Sequence, residues 1–267
     1  MKEVLGSVVV ILLVAGLCFL ADYNETSKKK TKEIIMDKWG IWKEQMMWRK
    51  FLTADNPVLK AMMTLPPGQG ISALQQYCSL VHMIVVYLGF GVEQIPVRTV
   101  ADELRRNIAE EQGSRTNGIP HREILGRLFR EEFKAETFAP WSLTTRRFHM
   151  ALFSKFQHEQ NPRFIAGMIY ALEATACAEL QVVAEIINCF AGYTAIDLKS
   201  SAEPTTLSGF FAMHINDFEV GHESKLREAL EDYISEDWRM FTEGFSFVLD
   251  HMESWWDGLA SEVYQNL

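Results

Sequence analysis

The segment FFAMHINDFEVGHE spans residues 210–223. Ten of those residues set two imidazoles, His214 and His222, beside three carboxylates, Asp217, Glu219 and Glu223. The surrounding pattern is helical. A helix has no folding reason to crowd such groups, because charge on a buried face is costly unless it is paired or bound to a metal. Glu219 and His222 stand three apart and share one helical face. A Glu-x-x-His step is a metal-ligating unit of helical bundles, although it also arises by chance on solvated helices.

Outward from this segment the chain reads as helix almost throughout. Residues 34–54 carry Trp39, Trp42, Met46 and Met47 at helical spacing. Asn56-Pro57 restarts the chain, and Pro66-Pro67-Gly68 opens a turn. Ser72 is placed to cap a helix running through Leu88, with Leu74, Cys78, Val81 and Val85 on one face. Val97 to Glu111 follows Pro96, with Gly113 placed to end it, and Pro120-His121 begins a further helix to Phe133. Pro140-Trp141-Ser142 opens the next segment. Asn161-Pro162 opens a long one to about Phe190, apolar on more than one stripe and therefore central. Leu207 to Ser235 and Trp238 to Tyr264 complete the pattern. The expectation is an all-α bundle of seven to eight helices in one domain, residues 34–267.

Composition agrees. Of 267 residues, 48% are hydrophobic and 12% aromatic, enough for a packed core. A net charge of −9 without a basic stripe argues against a nucleic-acid partner. Cys18, Cys78, Cys177 and Cys189 show no C-x-x-C spacing and read as reduced thiols.

The N-terminus differs. Residues 5–21 hold no charged residue, which is at the lower limit of a bilayer span, and Lys28-Lys29-Lys30 and Lys32 follow. This reads as an apolar N-terminal helix acting as membrane anchor or signal segment over residues 1–21, then a basic linker over 22–33. The charge bias places the main domain in the cytoplasm. Export after cleavage and a soluble cytoplasmic protein are the alternatives, and the sequon at Asn24 matters only for export.

If residues 214–222 bind metal, other helices must bring carboxylate and imidazole. Glu111 falls in the last turn of one helix and His121 in the first turn of the next. Glu173 is an acid within an otherwise apolar helix, where an unpaired carboxylate demands a counter-cation. Asn107, Glu111, Gly113 and His121, then Tyr170 and Glu173, then His214, Glu219 and His222 follow the order of a known pattern. In it the chain resembles the heme-oxygenase-like di-iron oxidases and oxygenases, which include the chlamydial protein associating with death domains. The resemblance covers roughly residues 55–235.

One departure stands out. The family separates its first histidine from the carboxylate by three residues, whereas four separate His214 from Glu219. On a regular helix His214, Glu219 and His222 then spread over roughly 140°. A π-bulge between His214 and Glu219 would absorb the extra residue. Asp217 is the alternative carboxylate, but it lacks the three-residue step to His222.

The resemblance implies a heme-oxygenase-like bundle whose Glu111, His121, Glu173, His214, Glu219 and His222 hold two Fe(II) ions. It implies O2 activation for attack on a small organic substrate, amino-acid-like or acyl, with electrons from an external donor. A homodimer is compatible with it. Two rivals remain: a metal-free thiaminase-like hydrolase using Cys177 and Glu173, and a membrane-tethered, non-catalytic interaction module. Heme oxygenase itself is disfavoured, since no histidine precedes His82.

Overall fold

Punctuation residues set where the helices begin. The side chain of Asn56 accepts hydrogen bonds from the backbone N–H of Val58 and Leu59, at 2.9 and 3.1 Å, and Pro57 occupies the first turn of α1, Pro57–Met62. Ser142 caps α5 (Leu143–His158) by accepting from Thr145 N. Asn161 caps α6 (Pro162–Asn188) by accepting from Arg163 N. Thr206 caps α7 (Leu207–Met213) by accepting from Gly209 N. Between the early helices and these lie α2 (Ile71–Gln94), α3 (Arg98–Glu111) and α4 (His121–Phe133). A π-helical turn, His214–Phe218, joins α7 to α8 (Glu219–Ile234), and α9 (Trp238–Gln265) closes the order.

The computed structural model describes residues 39–46, 48–65, 70–137, 139–189, 196–200 and 203–265. The chain divides into a unit Met1–Glu44 and a larger unit Gln45–Leu267. In the smaller unit the Trp39 and Trp42 rings meet edge to face, with centroids 4.8 Å apart. The apolar N-terminal helix, the anchor over 1–21 and the linker over 22–33 lie outside the described residues. Cys18 and Asn24 lie there too. The other three cysteines are free thiols.

Every regular element described is helical, and no strand occurs among the described residues. Among the described residues the larger unit holds nine α-helices rather than seven to eight. The excess comes from the short α1 and from the π-turn that divides Leu207–Ile234 in two. Helix α2 also differs from expectation. Gly70, not Ser72, stands at its N-cap, and the helix continues past Leu88 to Gln94. Gly91 explains the extension: a methyl there would sit 2.7 Å from Leu104 Cδ1 and 3.1 Å from Ile169 Cγ1, so α2 packs closely on α3 and α6 well beyond Leu88. Pro96 then forces Ile95 into an extended conformation and stops the helix.

Helix α6 is the central element. Residues 164–173 are buried without a break, so it has no wet face over almost three turns. It packs against α9, α8 and α2. Helix α2 is the one described helix long and apolar enough to cross a membrane, and half of its apolar window is buried inside the bundle. The buried His149 is structural: Ser79 Oγ and Tyr87 OH lie 2.7 Å from its two ring nitrogens, and burial pulls its pKa down to about 4.

Candidate metal centre

Glu111 and His121 are brought together by a turn that only glycine permits. After the last residue of α3, Gly113 adopts φ +99°, and an added methyl would lie 2.7 Å from the backbone of Gly118 and Ile119. Gly113 N donates to Glu110 O at 2.9 Å, and Gly118 N donates back to Gly113 O at 2.9 Å. Pro120 then starts α4, placing a fully buried His121 on its first turn. The result is a separation of 3.3 Å between Glu111 Oε1 and His121 Nδ1.

The π-turn and the first turn of α8 supply the other two imidazoles, His214 and His222. Met213 to Glu219 keep right-handed helical dihedrals, but the turn His214–Phe218 is wound one residue wider. This absorbs the extra residue before Glu219 and leaves His214, Glu219 and His222 all buried. The ring of His214 meets that of His121, with Nε2 and Nδ1 3.0 Å apart. His222 Nδ1 lies 3.4 Å from Glu173 Oε2 on α6 and 3.8 Å from Glu219 Oε2. Asp217, the alternative carboxylate, points to solvent and pairs with Arg115 at 2.5 Å. Its geometry removes it from the cluster.

All six residues line one cavity, with about 80 Å³ open to the centres of water-sized molecules. Within it Glu111, His121 and His214 form one group, and Glu111, Glu219 and His222 another. In each group one potential ligand atom per residue lies within 4.8 Å of the others. Glu111 belongs to both. Glu173 flanks the second group through His222.

Protons can be assigned from the partners. Phe210 O can only accept, so His214 Nδ1 donates to it at 2.8 Å and Nε2 presents a lone pair to the cavity. Burial, with His121 nearby, pulls His214 down to about 4, keeping it neutral. Burial is the largest influence on Glu110 and pushes it up, but His222, Arg106 and Arg115 outweigh it and hold it below the usual range. Glu110 is therefore an acceptor, and His222 Nε2 donates to it at 3.2 Å, which turns Nδ1 toward Glu173 and Glu219.

The carboxylates are short of positive charge. Burial raises the Glu219 pKa well above normal, and Glu111, Glu173 and Glu110 add to the rise against the pull of His222. His222 responds in kind: burial opposes its charge, yet Glu173, Glu219 and Glu111 lift it to about 9. Glu111 stays below the usual range, because bonding and charge from His121, with His214 and His222, overcome the large opposing effect of burial. Acids and imidazoles crowded in this way, with no lysine or arginine among the cavity's lining residues, fit a multiply charged cation. Imidazole and carboxylate suit iron, zinc and manganese.

Sequence reasoning did not select Glu110. It sits in a Glu110-Glu111 pair that reads as a solvated helix end, yet it is buried beneath Arg106 and Arg115. Arg106 four residues before it was the available signal. Glu179, also buried on α6 and lining the same cavity, escaped notice as well. Cys177, which the hydrolase alternative pairs with Glu173, does not line the cavity. Its 40° offset along the helix turns it to the π-turn, where the thiol contacts Ile215 O at 3.6 Å. Burial, with Glu219 adding, raises its pKa, the reverse of what a nucleophilic thiol needs.

Residues 44–262 match the model of a domain family of unknown function with a solved structure, DUF3865. The chain belongs to this family. Two crystal structures of a CADD-like protein of unknown function from Nostoc punctiforme resemble this DUF3865 chain. One is 26% identical, with TM-score 0.75, over 87% of this chain and 98% of that one. The other is 25% identical, with TM-score 0.74, over 88% and 96%. Among curated proteins there is no match.

Proposed function

We propose that the chain is an O2-activating, non-heme di-iron oxidase or oxygenase of the heme-oxygenase-like superfamily, acting on a small organic substrate. The observation that carries this reading is the pair of ligand groups that share Glu111. Glu111, His121, His214, Glu219 and His222 would hold the two cations, with Glu173 beside His222. The CADD-like likeness of the solved structures supports it, because CADD, the chlamydial protein associating with death domains, is the di-iron protein that the sequence resembles.

Two ferrous ions held there would supply the reduction of O2, with electrons from an external donor. The protein's own part is to orient and to insulate. Glu110 fixes the tautomer of His222, Phe210 O fixes that of His214, and the apolar walls exclude bulk water. The thiol-based alternative is disfavoured by the position of Cys177. Attachment to the membrane through residues 1–21, with the domain in the cytoplasm, belongs to the same proposal.

The test is anaerobic Fe(II) loading of the full chain in detergent, with bound iron counted and O2 uptake followed. The expected result is about two irons per chain, abolished by Glu173→Ala or His222→Ala. Full loading of both variants, or folded protein that binds no stoichiometric iron, refutes the reading.

A further inference from the structure

Beyond the metal ligands the cavity continues as an apolar channel. On α6 its lining runs from Glu173 to Val183, about 15 Å along the axis at 1.5 Å per residue. On α4 it runs from His121 through Leu125 to Phe129, about 12 Å. On α2 it reaches Leu74. The ligand cluster is at one end of these stretches, at Glu173 on α6 and His121 on α4.

One carboxyl interrupts the apolar wall. Glu179 lies six residues beyond Glu173, about 9 Å along α6, and is 2% exposed. One of its oxygens accepts from Trp256 Nε1 at 3.1 Å. The indole is a neutral donor and leaves the charge uncompensated. Among the described residues that line the channel there is no lysine or arginine, and all three lining histidines, His121, His214 and His222, sit in the ligand cluster. Tyr77 and Cys78 are the other polar neighbours lining it, and neither carries positive charge. A buried carboxylate requires a cation or else a proton, and the protein offers no cation here.

Resting on the di-iron reading above, we propose that the substrate is a primary amine on an apolar stem. Its ammonium pairs with Glu179 while its stem lies in the channel and presents carbon to the metal cluster about 9 Å away. Such a ligand completes the one charge pair that the channel leaves open and fills its apolar length. A fatty acid of equal length would set a second carboxylate against Glu179 or leave Glu179 unpaired. Burial, opposed by the bond from Trp256, pushes the Glu179 carboxyl up to about 8.

The test is calorimetric titration of the full chain, chelated and Fe(II)-loaded in separate series, with n-octylamine, 1-octanol and octanoate. The amine is expected to bind at least tenfold more tightly than the alcohol, and Glu179→Gln is expected to remove that preference. Glutamine keeps an acceptor for Trp256, so the variant is expected to fold. Should it not fold, the amine-to-alcohol ratio of the wild-type chain decides alone. Equal affinity for amine and alcohol, or an amine preference that survives in folded Glu179→Gln, overturns the proposal. Iron binding without amine preference removes this proposal alone. An amine preference lost in Glu179→Gln, in a protein that takes up no iron, leaves the amine site standing and removes the di-iron reading.

Discussion

At the residue scale the hydrogen-bond partners of the proposed ligands are a test of the site in their own right. Glu110 holds the Nε2 proton of His222 and is itself held by Arg106 and Arg115. Groups in this position typically change metal affinity about 10–100-fold when removed. Glu110→Ala should weaken iron binding by that amount in a competitive-chelator titration, and Glu110→Gln, which keeps an acceptor, should lose less. Unchanged affinity in the alanine variant would make Glu110 a bystander. Glu179 permits a test that needs no metal. Its folded pKa, about 8, lies above its unfolded value of 4.5. The folded chain therefore holds a proton that the unfolded chain releases, and stability falls as pH rises through that window. Glu179→Gln should leave stability near pH 4.5 little changed and raise it at pH 8 by a few kcal/mol. Denaturant melts at both pH values read the difference, and parallel pH profiles for wild type and variant would count against the shift. A stabilised variant that no longer prefers amine could not owe that loss to unfolding. These two acids were illegible in the sequence because neither stands at a motif position. Arg106 hints at Glu110, but burial alone marks Glu179, and burial is a property of the fold.

At the element scale the sequence was informative where punctuation and periodicity agree. Asn161-Pro162 announces α6, Pro120 announces α4, and Gly113 marks the end of α3. The ends of α2 were less legible, because its start carries no side-chain cap and its extension past Leu88 depends on close packing at Gly91. The spacing conflict between His214 and Glu219 pointed to the π-turn before any fold was known. That turn sets the angular position of His214 relative to Glu219 and His222. Deleting Asn216, whose exposed side chain reaches Leu198 O, should convert the turn to regular helix with three residues between His214 and Glu219, and so leave His214 at nearly the same angle to Glu219 and His222. The group with Glu111 and His121 then keeps its donor. The expected outcome is helical protein that still binds about two irons in a chelator titration. Loss of one iron in the deletion variant would show that the wider turn itself is what sets His214.

At the scale of the whole molecule, fold and site depend on the same helix. α6 carries Glu173 and Glu179, and it meets α9 where Gly167 and Gly244 let the two backbones touch. A methyl on Gly244 would lie 2.0 Å from Phe164 O, and one on Gly167 the same distance from Phe241 O. Both obstacles are backbone atoms and cannot rotate away, so an added methyl must push the helices apart. Glu173 lies six residues from Gly167, about 9 Å along a continuous helix, so the displacement is transmitted to the site. Gly221 provides the contrast: it also lies in a helix, next to His222, yet a methyl there meets nothing within 4 Å. Helix propensity alone favours alanine over glycine by about 1 kcal/mol. Gly221→Ala should therefore be neutral or stabilising and bind iron normally. Gly244→Ala makes the same chemical change but should lose about 1–3 kcal/mol to overpacking and bind iron more weakly through the displaced Glu173. Thermal melts of the chelated proteins separate the stability effect from the metal's own contribution, and iron titration of the folded fraction reads the coupling. If Gly244→Ala lowers stability but leaves iron affinity intact, α6 bends locally at the crossing and the site is insulated from it. If both fall together, the closeness of α6 to α9 is what holds Glu173 at the metal.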